Sequence, residues 1–114
     1  MKLIKKNEGK TEEHPPRHFN MWALGKINPD IGSKRLNVGI SHFLPNGGAE
    51  MYPSPTERGY FGISGAIRVK GKKGDEYVVG PGDMLFIPPG EERSIEVVGP
   101  EPATMLVIIV KLDS

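Results

Sequence analysis

The chain has 114 residues, 15 Lys and Arg against 14 Asp and Glu, and no cysteine. That length suits one domain, and the missing cysteine excludes disulfides, thiolate nucleophiles and Cys-based zinc sites. A net charge of +1 without a long basic block argues against a nucleic-acid partner, and the longest apolar run, residues 105–110, is too short to span a bilayer.

Residues 1–17 are polar and end in His14-Pro15-Pro16-Arg17, which predicts an N-terminal arm carrying at most one edge strand. The lysine-rich start MKLIKKNEGK lacks the apolar core of a signal peptide, so a cytoplasmic protein without a membrane partner is expected. From residue 18 onward strands and turns alternate. HFNMWAL (18–24) reads as a strand, INPDIGSK (27–34) as a loop and LNVGISHFL (36–44) as a strand. In the last of these Leu36, Val38, Ile40, His42 and Leu44 share one face, and Asn37, Gly39 and Ser41 the other. Pro45-Asn46-Gly47-Gly48 is expected to close that strand with a turn. Further strands are expected at 60–64, 66–70, 76–79, 84–87, 93–98 and 104–112, with Gly- and Pro-rich turns between them. No stretch of ten residues keeps a helical apolar period free of Gly or Pro. The expectation is all-β, a sandwich or barrel of about eight to ten short antiparallel strands over residues 18–114.

Two stretches carry a family pattern. Gly82-Asp83-Met84-Leu85-Phe86-Ile87-Pro88-Pro89-Gly90-Glu91-Glu92-Arg93 resembles the second motif of the cupin superfamily, small jelly-roll barrels, with Arg93 at the place of a ligand histidine. The first motif, His-x-His followed by Glu and then Gly, resembles the region before Gly65. Arg58 then takes the Glu position, with Glu57 one step off. The paired histidines fall on Met51 and Pro53, or on Tyr52 and Ser54 with the shorter spacer. The resemblance implies a single cupin barrel. In metal-dependent cupins these four positions hold a divalent cation, whereas here they offer guanidiniums and poor donors. No metal at the usual place and no cofactor are therefore expected.

Arg93 also stands out without the family. It has the parity of Ile95 and Val97, and an inward arginine is costly unless paired. It is either salt-bridged to Glu50, Glu57 or Glu92, or it grips a carboxylate or phosphate of a ligand. Arg58 falls at a second inward position, Tyr60 shares its parity, and Met51, Tyr52, Phe86 and Trp22 are further candidates for the cavity wall. His42, on the apolar side of its strand, is expected inside the barrel as a neutral histidine or a general acid–base. Glu50 is a candidate base or arginine partner. His14 and His18 read as surface residues, His18 reaching the mouth only if its strand folds over it. Phe61 and Ile63 lie opposite Tyr60, so this strand is apolar on both faces. That implies a covered outer side and a homodimer.

The leading functional expectation is an isomerase, lyase or decarboxylase acting on a small anionic metabolite. Arg58 and Arg93 would anchor it, and His42, Glu50 or Tyr60 would move the proton. The alternatives are a binding or sensor protein using the same pocket, and a metal site rebuilt from His42, Glu50, Glu57 or His18.

Overall fold

The structure, a computed structural model, describes residues 1–112. Nine strands carry it: β1 (Lys10–Glu12), β2 (His18–Ile27), β3 (Leu36–Tyr52), β4 (Glu57–Ser64), β5 (Ile67–Gly71), β6 (Glu76–Val79), β7 (Met84–Ile87), β8 (Arg93–Val97) and β9 (Ala103–Val110). All ladders are antiparallel, in the order β6-β5-β8-β3-β9-β4-β7, with β2 on β3 and β1 on β2. The strands form a nearly closed barrel with no α-helix among the described residues, and therefore no helix long and apolar enough to cross a membrane. The one helical element is a 3-10 turn at Pro29–Ile31.

The strand pattern departs from expectation at one informative place. Pro45-Asn46-Gly47-Gly48 is not a turn that ends a strand; it is a corner inside the 17-residue β3. Residues 36–43 pair with β9, and residues 48–52 pair with β8. One strand thus serves both sheets, which is how a jelly roll turns its corner. Asn46 takes the left-handed conformation with φ 70°, which Asn tolerates better than most residues. At Gly48 a Cβ would collide with the Ile95 carbonyl oxygen, so the crossing brings two backbones too close for any side chain.

The core is built from the inward residues of both sheets, with Phe43 and Tyr60 the largest fully buried side chains. Ile67, Val69, Val79, Ile95, Ala103 and Met105 fill the interior around them. The packing does not reach the mouth of the barrel, where a cavity of about 610 Å³ remains. The arm that precedes β2 closes one side of it. Lys26 holds that arm: its Nζ donates to the carbonyls of Lys5, Lys6 and Glu8 at 2.6, 2.8 and 2.7 Å.

Candidate functional site

The cavity wall is apolar along its shaft, with Ile27, Val107 and Ile109 among the lining residues, and cationic at one end. β4 brings Arg58 and Tyr60 to that end, and β8 brings Arg93. Both strands place these residues inward by simple alternation. Arg58 pairs with Ile87 and Ile109, Tyr60 with Leu85 and Val107, while Glu57 and Phe61 fall on the opposite face.

The two arginines meet on one atom. Arg93 Nε donates to Tyr60 Oη at 2.8 Å, and Arg58 Nη1 donates to the same oxygen at 3.3 Å. Arg58 Nε also donates to Thr56 Oγ1 at 3.3 Å, and Arg93 Nη1 makes a long 3.5 Å bond to the Glu50 carbonyl. Arg93 is only 6% exposed. Among the described residues neither guanidinium has a carboxylate within ion-pair distance, and Glu92 instead pairs with Lys72 at 3.0 Å. The structural salt bridge expected as one explanation of Arg93 is absent among those residues. Two cations therefore face the cavity with only neutral acceptors, a costly arrangement in which an anion would supply the missing charge.

His18 completes this end of the cavity. Its Nδ1 lies 2.8 Å from the Pro16 carbonyl oxygen, which can only accept, so Nδ1 carries the proton and Nε2 keeps its lone pair. Burial pushes the imidazole below its ordinary value, and the Arg93 and Arg58 charges push the same way, against the Pro16 bond and Glu12. A neutral imidazole with a free lone pair beside two guanidiniums is a competent proton acceptor. Arg17, the preceding residue, sits in the left-handed region with φ 62° and stacks its guanidinium 3.5 Å over the Tyr52 ring. Its carbonyl accepts from the Glu50 N–H at 2.9 Å, which ties the arm to β3 at the mouth.

Several expected positions need correction. His42 is not in the barrel: Ser41 and Phe43 take the interior, so His42 points outward, stacked on Trp22 with ring centroids 4.3 Å apart. Its Nδ1 lies 3.1 Å from Thr104 Oγ1. Trp22 and Phe86 are likewise outside, 40% and 59% exposed, because Met21 and Ile87 occupy the inward places on their strands. Met51 and Glu50 are exposed at the end of β3, and only the Glu50 backbone reaches Arg93. Tyr52 lies on the cavity wall, paired with Arg93 across β3 and β8. Sequence reasoning missed Ser41 and Asn37 as cavity residues and left His18 at the surface. The available signal was the polar side of LNVGISHFL, whose Asn, Gly and Ser face the cavity.

Both His18 and His42 have their pKa lowered from the ordinary 6.5, in each case chiefly by burial. The unfolded chain then binds protons more readily than the folded one below pH 6.5, so stability is full above that value and lost as pH falls. Urea unfolding at a series of pH values should show this decline, and the slope below pH 6.5 should be strongly reduced in His18→Gln/His42→Gln. A wild-type stability that is flat between neutral pH and mildly acidic pH would contradict it.

The residues that reach the cavity do not suit a resident divalent cation. Its cationic end presents three permanent positive charges (Arg17, Arg58 and Arg93), two phenols and one imidazole, and no three His, Asp or Glu side chains converge among the described residues.

Three comparisons place the chain among known proteins. Over its whole length it superposes on the polyketide cyclase RemF from Streptomyces resistomycificus with a TM-score of 0.82 and 22% identity, covering 87% of that chain. Ninety-seven per cent of the chain superposes on a predicted oxalate decarboxylase from Thermotoga maritima, covering 100% of that protein, with a TM-score of 0.79 and 16% identity. An RmlC-like cupin from Shewanella frigidimarina matches with a TM-score of 0.77 at 12% identity, over 100% of this chain and 95% of that one. At these identities the likeness is one of fold. No curated protein matches the sequence. Residues 39–109 match the cupin domain family, a span that holds the β3 corner, Arg58, Tyr60 and Arg93. The chain belongs to the cupin superfamily.

Proposed function

We propose that this cupin binds a small organic anion inside its barrel and carries out metal-independent acid–base chemistry on it. The observation that supports this reading above all others is the pair Arg58 and Arg93, both facing the cavity without a carboxylate partner among the described residues. A carboxylate or phosphate seated between them would gain charge-assisted hydrogen bonds from both guanidiniums. The apolar shaft above suits a ligand with a hydrophobic body, and about 610 Å³ of space accommodates one of drug-like rather than two-carbon size.

His18 and Tyr60 are the groups beside that anion able to handle a proton. His18 Nε2 takes a proton from the carbon next to a carbonyl, the C–H electron pair becomes a C–C π bond, and negative charge passes to the carbonyl oxygen near the guanidiniums. Returning the proton to another carbon completes an isomerisation, and departure of a β-substituent with its electron pair completes an elimination. That a polyketide cyclase shares the fold supports an enzyme. A binding or sensor protein using the same anion pocket is the second reading, favoured by Tyr60 Oη, which already holds both guanidiniums in place as a finished anion clamp.

Calorimetry with 1-naphthoate and its neutral amide tests the pocket, and deuterium exchange into C3 of 4-phenyl-2-oxobutanoate, read by proton NMR, tests the chemistry. The carboxylate should bind at least about tenfold more tightly than the amide, a difference of about 1.4 kcal/mol. Exchange should exceed the buffer rate and be lost in His18→Gln. Equal or absent binding of both compounds refutes the anion pocket. Binding without exchange leaves the pocket standing and favours the second reading.

A further inference from the structure

The segment Pro15-Pro16-Arg17-His18 closes as a turn, the His18 N–H donating to the Pro15 carbonyl at 3.1 Å. Its third residue takes φ 62°, the left-handed conformation that glycine ordinarily fills after a proline in such a turn. The chain sets an arginine there instead, against its backbone preference. Strain of this kind collects at ligand clamps, where the side chain matters more than an easy backbone. The turn delivers a third guanidinium to the mouth of the cavity. Arg17 lies 3.5 Å over the Tyr52 ring, and Tyr52 is the residue across from Arg93 on β8. One aromatic ring thus stands between Arg17 and the Arg58–Tyr60–Arg93 group, and all of them line the same cavity.

The charges of the whole lining point the same way. Lys10, Arg17, Arg58 and Arg93 are its cations, and Glu12 and Asp30 its carboxylates. Lys10 and Asp30 lie 3.9 Å apart and pair with each other, which leaves three arginines against Glu12 alone. None of the three has a carboxylate within ion-pair distance among the described residues. His18 adds no charge at neutral pH, because burial lowers its pKa. The lining therefore carries an excess of two positive charges, gathered at one end. We infer that the ligand is a dianion with both charges on one terminus, a phosphomonoester or a malonate-type dicarboxylate, and that Arg17 binds the second charge. The inference rests on the anion pocket proposed above and adds the charge of its ligand. Arg58 and Arg93, held together by Tyr60 Oη, suffice for a monoanion. A dianion presents further oxygens toward the mouth. A guanidinium resting on an aromatic ring keeps the N–H donors in its own plane free to meet them.

Calorimetry of the full chain at pH 8 with two matched pairs of probes tests this: 1-naphthyl phosphate against 1-naphthyl sulfate, and benzylmalonate against 3-phenylpropanoate. Within each pair the apolar body is shared and the charge differs by one, since a phosphomonoester with a second pKa of about 6 is doubly ionised at pH 8. In at least one pair the dianion should bind at least about tenfold more tightly, the effect of one further charge-assisted hydrogen bond. A preference in the first pair alone identifies a phosphomonoester, and in the second alone a dicarboxylate. Arg17→Gln should reduce the preference to about threefold or less, while the monoanion, held by Arg58 and Arg93, binds nearly as before. Arg17→Lys keeps the charge and should retain part of the preference. Arg35→Gln removes the same charge at an exposed residue outside the cavity lining and should leave the preference unchanged. Monoanions that bind as tightly as dianions, or a preference untouched by Arg17→Gln, overturn the inference and leave the anion pocket standing. An equal loss of both members of a pair in Arg17→Gln makes Arg17 a prop for the mouth and overturns it too. Absence of binding by all four probes overturns the anion pocket and the inference with it.

Discussion

Arg93→Met is expected to weaken 1-naphthoate by about 30-fold or more while leaving the melting temperature unchanged or higher. The two halves of that result separate a ligand anchor from a structural ion pair. Truncating one member of a buried charge pair costs about 2–5 kcal/mol of binding, and Arg93 is 6% exposed with its Nε on Tyr60. In the free protein, however, its charge has no carboxylate partner among the described residues, so its desolvation cost is offset only by the neutral acceptors Tyr60 Oη and the Glu50 carbonyl. A methionine of similar length fills the space and removes that cost, and Tyr60 Oη still accepts from Arg58. The neutral amide should bind the variant as it binds the wild type. A melting temperature that falls by several degrees with carboxylate binding intact would show that Arg93 serves the fold.

Tyr60→Phe is expected to do the opposite in the free protein. Tyr60 is 1% exposed, and its Oη is the shared acceptor of both guanidiniums. Without the oxygen two like charges converge on an apolar ring edge, and orphaned buried donors cost about 1–3 kcal/mol. For a domain of this size that is a fall in melting temperature of roughly 4–12 °C. A bound anion would give both arginines a partner again, so saturating 1-naphthoate should raise the melting temperature of Tyr60→Phe by more than it raises that of the wild type. A variant that melts like the wild type and gains no extra protection would mean that the phenol is not what holds the two arginines together.

Of the residues behind these two expectations, alternation alone places Arg93, which shares the parity of Ile95 and Val97 in its own strand. Arg58 and Tyr60 lie in a strand apolar on both faces, so their inward direction rested on the count along the family motif, and the pairing with Ile87 and Val107 fixes it. Turn chemistry made β6 and β7 legible to the residue, because Gly80-Pro81-Gly82-Asp83 and Pro88-Pro89-Gly90 punctuate them. The same reasoning failed at Pro45-Asn46-Gly47-Gly48. Turn residues also serve a bend within a strand, and only pairing with β8 beyond the corner tells the two apart.

The misplacement of His42 has a different cause. LNVGISHFL has an apolar and a polar side, and in a protein with one solvated face the apolar side goes inward. Here the interior at that end is a cavity lined by Asn37, Gly39 and Ser41, and the apolar side forms the outer face. Trp22 and Phe86 were misjudged for the same reason. Periodicity reports which residues share a face; it does not report which face is inside when both are partly apolar.

Local chemistry, then, was enough for the all-β architecture, the family and the inward Arg93, since glycine and proline spacing and two-residue alternation act within a few bonds. Two further features needed the closed barrel: the choice of His18 over His42, and the meeting of Arg58 and Arg93 on one phenol oxygen. Each depends on registers between strands far apart in the chain, and those registers are set by packing around Phe43 and Tyr60 rather than by any neighbouring residue.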